Sequence, residues 1–185
     1  KWVAPGAVFA VRSGDQAQMA TLHRQQLVLV QEDATGKVQN ATTTQTAGAL
    51  DDLYAAAGDV NDLGVTIAGG STRFKLWAPT AQKVSVFTYD SPTGDAVTVD
   101  TMSFDATTGV WSATRSADLS GRYYRYAVEV FVRGVGVVRN LVTDPYSLSL
   151  SADSKRSYIA DLNAAALKPA GWDASTPPAK VATQV

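Results

Sequence analysis

The chain has 185 residues, 45% of them hydrophobic, with a formal net charge of −1 and no cysteine. That length holds one large domain or two small ones. The near-zero charge gives no electrostatic case for nucleic acid or an anionic membrane, and the missing thiols exclude disulfides, thiolate metal sites and cysteine nucleophiles.

No stretch approaches the ~20 apolar residues of a membrane helix. The chain opens on Lys1 without a methionine or a signal-peptide pattern, and reads as a piece of something longer. Residues 1–62 are expected to form a small β-rich accessory domain, in part or whole. "AVFAVRS" (Ala7 to Ser13) and "QQLVLVQED" (Gln25 to Asp33) have strand character, and "VQNATTTQ" follows the "EDATGKV" turn as a third strand. In "TAGALDDLYAAAGDV", Leu50, Leu53, Tyr54 and Ala57 fall at i, i+3, i+4 and i+7, which predicts one short helix. Asp51 and Asp52 stand near its start, and Gly58 is a stop.

From residue 63 to 150, short alternating segments are separated by turn signals: "GVTIAG", "TRFKLWA", "KVSVFTYD", "AVTVDTMSF", "GVWSATR", "RYYRYAVEVFV" and "GVVRNLVTD". This pattern predicts an antiparallel, immunoglobulin-like β-sandwich, so the fold class is mainly β. Phe74 with Leu76, Val84 with Val86 and Thr88, and Tyr124 with Tyr126, Val128 and Val130 mark half-buried faces. Residues 151–185 lack periodicity, contain Pro169, Pro177 and Pro178, and read as an extended connector.

The chemistry-bearing residues do not assemble into a catalytic set. His23 is the only histidine, no Gly-x-Ser-x-Gly elbow accompanies it, and it is expected in a turn or in solvent. "RGVGVV" lacks the third glycine of a phosphate loop. Asp59 and Asp62 make a poor calcium loop. The acidic pairs Asp51/Asp52, Glu32/Asp33 and Asp100/Asp105, with Asp144, sit at strand ends, on a helix or in turns, so no glycosidase pair stands out. No catalytic residue, metal site or cofactor is assigned. Aromatic residues are the more informative set. Trp77, Trp111 and Tyr123 are candidate sugar-stacking rings, with a place in the core or at an interface as the leading alternative for Trp111. Trp77 alternates away from Phe74 and Leu76, beside Lys75, which also suits a contact with another domain.

Taken together, "GVTIAGGSTRFKLWAPTAQKVSVFTYD", "GVWSATRSADLSGRYYRYAVEV", "VTDPYSLSLSADSKRSYIADLN" and "ALKPAGWD" resemble the segment before the catalytic barrel of pullulanase-type α-1,6-glucosidases, debranching enzymes of glycoside hydrolase family 13. The sandwich resembles carbohydrate-binding module family 48, and "TQTAGALDDLYAAAGDV" is similar to the end of the preceding accessory domain. The likeness covers residues 40–175 well and 1–39 loosely. It implies a parent enzyme that hydrolyses α-1,6 linkages in starch-type glucans with carboxylates on a (β/α)₈ barrel, none of whose motifs occurs here. It implies two partners: the parent's own barrel, against which Trp77, Asp144 and Tyr146 would pack, and an α-glucan such as starch, pullulan or glycogen. It favours an extracellular or cell-surface location. The glycine-rich "VRGVGVVRN" turn departs from a ligand-binding hairpin.

Overall fold

The computed structural model describes residues 9–44 and 46–176. Two antiparallel sheets face each other. One contains β3 (Gly64–Ala68), β4 (Ser71–Trp77), β8 (Val110–Arg115) and β7 (Ser103–Phe104), ordered β3-β4-β8-β7. The other runs β10 (Gly136–Val142), β9 (Tyr123–Val132), β5 (Ala81–Tyr89) and β6 (Thr98–Thr101), and β11 (Ser157–Tyr158) joins it along β9.

The period-two pattern sets which side chains meet between the sheets, because alternate residues of a strand point to opposite faces. Phe74 and Leu76 pair across with Ala113 and Trp111 in one sheet, while Val84 and Val86 pair with Val128 and Tyr126 in the other. These residues share one core with Ala81, Met102, Leu119, Tyr124 and Ile159. The β3–β4 hairpin closes on Gly69 and Gly70, both at positive φ, the backbone that a two-residue hairpin needs to match the strand twist.

The single strand expected over "AVTVDTMSF" divides. Thr98–Thr101 pairs with β5, and Ser103–Phe104 pairs with β8 in the opposite sheet. Met102 makes the crossing: its N–H donates to Val84 O at 3.0 Å and its side chain is buried. Residues past 150 also belong to the sandwich. Ser157 and Ile159 are buried, and the N–H of Ile159 donates to Arg122 O at 2.9 Å.

Toward the N-terminus, β1 (Val28–Glu32) and β2 (Val38–Thr43) form a hairpin exposed on both faces. Helix α2 (Ala47–Leu53) falls where the periodicity put it and leads into a 3-10 turn at Ala55–Asp59. The strand expected over Ala7–Ser13 does not form in the described part. Residues 9–12 are irregular, and Ser13–Gln18 make a 3-10 turn leading into the single-turn helix α1 (Met19–Leu22). Ala7 and Val8 lie outside the described residues. A strand needs a neighbour for its backbone groups. Here Ser-Gly-Asp satisfies them locally instead, through Asp15 N–H donating to Arg12 O at 2.9 Å. Residues 161–176 carry two further short 3-10 turns and are mostly exposed; the rest of the expected connector, 177–185, lies outside the described residues.

Candidate functional site

The three candidate stacking rings come to lie in three different places. Trp77 ends β4 on the outer face of the four-stranded sheet, half-buried, with its indole N–H donating to Thr108 O at 3.0 Å. Lys75, two residues before it on that face, is held by Asp62 at 2.6 Å. Tyr123 lies on the outer face of the other sheet, since its neighbour Tyr124 points inward and is fully buried. Its ring tilts onto Tyr158 with centroids 5.1 Å apart. Trp77 and Tyr123 are therefore separated by the whole thickness of the sandwich and cannot form one platform.

For Trp111 the core alternative holds, and its candidacy as a sugar-stacking ring is corrected. It is 5% exposed and belongs to the core. Its indole N–H donates to Ala78 O at 2.9 Å, and Phe104 packs on it with centroids 5.0 Å apart. No face of that ring is open to a sugar. Alternation alone does not show this, because both Val110 and Trp111 are buried at the strand start.

Around Phe104 the N-terminal segments dock onto the sandwich. The Arg24 guanidinium lies 3.8 Å from the Phe104 ring centroid and 6.0 Å from that of Trp111. Tyr54, also buried, meets Phe104 edge-on at 6.4 Å. Gln82 Nε2 donates to Arg24 O at 2.9 Å. His23 adjoins this contact and is buried rather than solvated, and burial lowers its pKa. This junction leaves no signal in the sequence, because its partners are far apart along the chain.

Asp144 is the second correction. Expected at a domain interface, its carboxylate points into the sandwich and is 4% exposed. Oδ2 accepts from the Tyr124 hydroxyl at 2.7 Å and from Tyr126 at 3.4 Å, while Oδ1 accepts from the Tyr146 N–H at 2.8 Å. Burial raises its pKa above the usual carboxylate value, against the pull of these hydrogen bonds. Burial, helped by the Asp144 charge, also raises the Tyr124 and Tyr126 pKa values. Ser157 Oγ accepts the Asp144 N–H at 2.9 Å, and Ser147 Oγ bridges Asp144 O and Ser157. The cluster ties the end of β10 to β9 and β11. Tyr146 packs, half-buried, against the core beside Gly64.

Several of the other carboxylates are committed to nearby groups. Asp62 binds Lys75 and Arg73, Asp100 binds Arg115, and Asp90 binds Arg122. Asp105 accepts from Thr107 and Thr108 in its own turn, and those bonds lower its pKa. Among the described residues, no cluster of three or more His, Cys, Asp or Glu side chains could hold a metal ion. Among the described residues, no helix is long and apolar enough to cross a membrane.

A sandwich of this order, preceded by a docked helical and hairpin segment, has clear relatives. Residues 62–147 match the carbohydrate-binding module 48 (isoamylase N-terminal domain) family, and residues 1–52 match the pullulanase N2 domain. The chain belongs to the N-terminal region of the pullulanase family. A pullulanase of Klebsiella pneumoniae is 40% identical over 170 residues, covering 91% of this chain and 16% of its own length. A chloroplastic pullulanase of Arabidopsis thaliana is 35% identical, covering 82% of this chain and 15% of itself. The apo pullulanase crystal structure from Klebsiella pneumoniae superimposes with a TM-score of 0.80 at 39% identity, over 88% of this chain and 18% of that one. A pullulanase from Paenibacillus barengoltzii in complex with maltohexaose and α-cyclodextrin matches at a TM-score of 0.60 and 33% identity, over 71% of this chain and 19% of that one. The chain thus spans under a fifth of the length of these relatives.

Proposed function

We propose that this chain is a non-catalytic region of a debranching enzyme acting on α-1,6 linkages in starch or pullulan. Its role there is to brace the catalytic domain and not to hold glucan itself. The observation behind this reading is where the sandwich's aromatic rings go. Trp111, Tyr124 and Tyr126 are core, and Trp77 and Tyr123 sit on opposite outer faces. A sugar platform needs rings aligned on one face, whereas one half-buried ring at a sheet rim suits a protein contact. Trp77, with Tyr146 at the rim of the sandwich, is the expected contact with the catalytic barrel.

Affinity electrophoresis of the chain through pullulan or amylopectin gels tests this. Migration unchanged by polysaccharide supports the bracing role. Retardation that is lost in Trp77→Ala at unchanged stability would establish the rival reading, an autonomous glucan-binding module. An extracellular or cell-surface site for the parent goes with the proposal. Immunoblotting of medium, cell-surface and cell-interior fractions tests it, and recovery from the interior alone contradicts it.

A further inference from the structure

The outer face of the five-stranded sheet carries a feature that the bracing role does not use. A cleft of about 470 Å³ opens between the β5–β6 loop, the ends of β9 and β10, and the loop before β11. Pro92, Thr93, Arg125, Thr143, Lys155 and Arg156 are among the residues that line it.

Its two arginines lack counter-charge. Arg156 is buried, lies 3.6 Å from the Tyr89 ring centroid, and donates to Ser91 O at 2.7 Å and to Gly94 O. All these partners are neutral. Arg125 donates through Nη2 to Leu141 O, and its Nε is buried without an acceptor. Among the described residues, neither guanidinium has a carboxylate within ion-pair distance; Lys155 pairs only with Asp153, at 3.3 Å, and both are largely exposed. An exposed pair of that kind is strongly screened and does little to offset the two arginines. Burying guanidinium charge without an anion is costly, and an arriving anion would relieve that cost.

The backbone on the cleft wall adds an independent observation. Asp153 and Ser154 are consecutive non-glycine residues at φ 57° and 54°. Left-handed backbone is unfavourable for residues with a Cβ, and such strain concentrates where a loop must present particular groups. Here it brings Ser154 and Lys155 into the lining of the cleft that Arg125 also borders.

We infer that this cleft is an oxyanion-binding site built from Arg125, Lys155 and Arg156, with the Ser154 turn as its wall. The ligand class is a compact oxyanion, either a phosphate, free or carried on a sugar, or a carboxylate. Guanidinium groups present planar donors that match both. The inference is independent of the bracing role, since it involves neither Trp77 nor Tyr146.

The test is NMR titration of the ¹⁵N-labelled chain with inorganic phosphate, glucose 6-phosphate and acetate, with glucose as the neutral control. Saturable shifts confined to residues around 91–94, 125, 141–143 and 153–156 are expected for at least one of the anions and not for glucose. Tighter binding of the phosphates assigns the site to phosphate, and comparable binding of acetate assigns it to a carboxylate. Arg125→Gln should weaken binding at least tenfold and Lys155→Gln several-fold. Lys155 is exposed, so its variant tests the site even if Arg125→Gln disturbs the fold. Arg139→Gln, on the same sheet face but paired with Glu129, should leave binding unchanged. Shifts scattered over all exposed cations, absence of saturation, or affinity equal in Lys155→Gln and wild type would overturn the assignment.

Discussion

Replacing Asp144 tests whether a buried carboxylate holds the end of this sandwich together. In Asp144→Ala the Tyr124 hydroxyl and the Tyr146 N–H lose their acceptor. Each buried donor left unpaired costs about 1–3 kcal/mol. The variant also removes a carboxylate whose burial is itself unfavourable, which pulls the net loss toward about 2–4 kcal/mol. Asp144→Asn keeps the shape and one acceptor oxygen, so its loss should stay under about 1.5 kcal/mol at neutral pH. The two variants separate further with pH. The folded-state pKa of Asp144 is raised above its unfolded value of 3.8. The folded protein therefore holds that proton more tightly, so the stabilisation is fully present below the unfolded value and is lost as pH rises through the folded one. Wild type should lose stability relative to Asp144→Asn across that interval. Taking the difference cancels the opposite trend from Asp62, whose pKa is lowered first by its hydrogen bond with Lys75. Urea unfolding followed by tryptophan fluorescence, at about pH 4 and about pH 7, reads both effects, the lower pH lying near the ordinary carboxylate pKa. A loss under about 1 kcal/mol in Asp144→Ala, or wild type gaining on Asp144→Asn toward neutral pH, would refute the reasoning.

Three further outcomes are expected. Trp111→Ala should cost about 3–5 kcal/mol in chemical denaturation, as for other buried aromatics, whereas a surface sugar contact would cost far less. Gly109 has φ +72°, and a Cβ there would lie 2.9 Å from Pro79 Cβ and 3.0 Å from Tyr54; Gly109→Ala should therefore lower the midpoint more than Gly134→Ala, where φ is +78° but nothing lies within 4 Å. Arg24→Ala removes the cation over Phe104, so limited proteolysis should cut residues 25–60 faster while the sandwich core persists. Equal cleavage rates in the variant and wild type would show that the N-terminal segment is held by other contacts.

Much of the sandwich was legible in the sequence, because a strand with one face in a core must alternate. Phe74 with Leu76, Val84 with Val86 and Tyr124 with Tyr126 declared their inward faces that way, and all six are buried. The periodicity of Leu50, Leu53 and Tyr54 likewise marked α2. Other features left no local trace. Ser157–Tyr158 is too short to alternate, and it is a strand only because β9 offers it a free edge. Met102 carries one extended run from sheet to sheet, a choice set by the two partners and not by its own propensity. The described part of the Ala7–Ser13 segment, from Phe9 on, had the right residues for a strand but found no neighbour among the described ones. Asp144 and Arg156 look like surface residues by type, yet both are buried. Their partners Tyr124 and Tyr89 come from other strands, and Arg156 bonds carbonyls more than 60 residues away in the chain. Burial of a charge depends on which groups surround it in space. Composition and spacing therefore determined the architecture, and only the tertiary structure decided which polar residues it would bury.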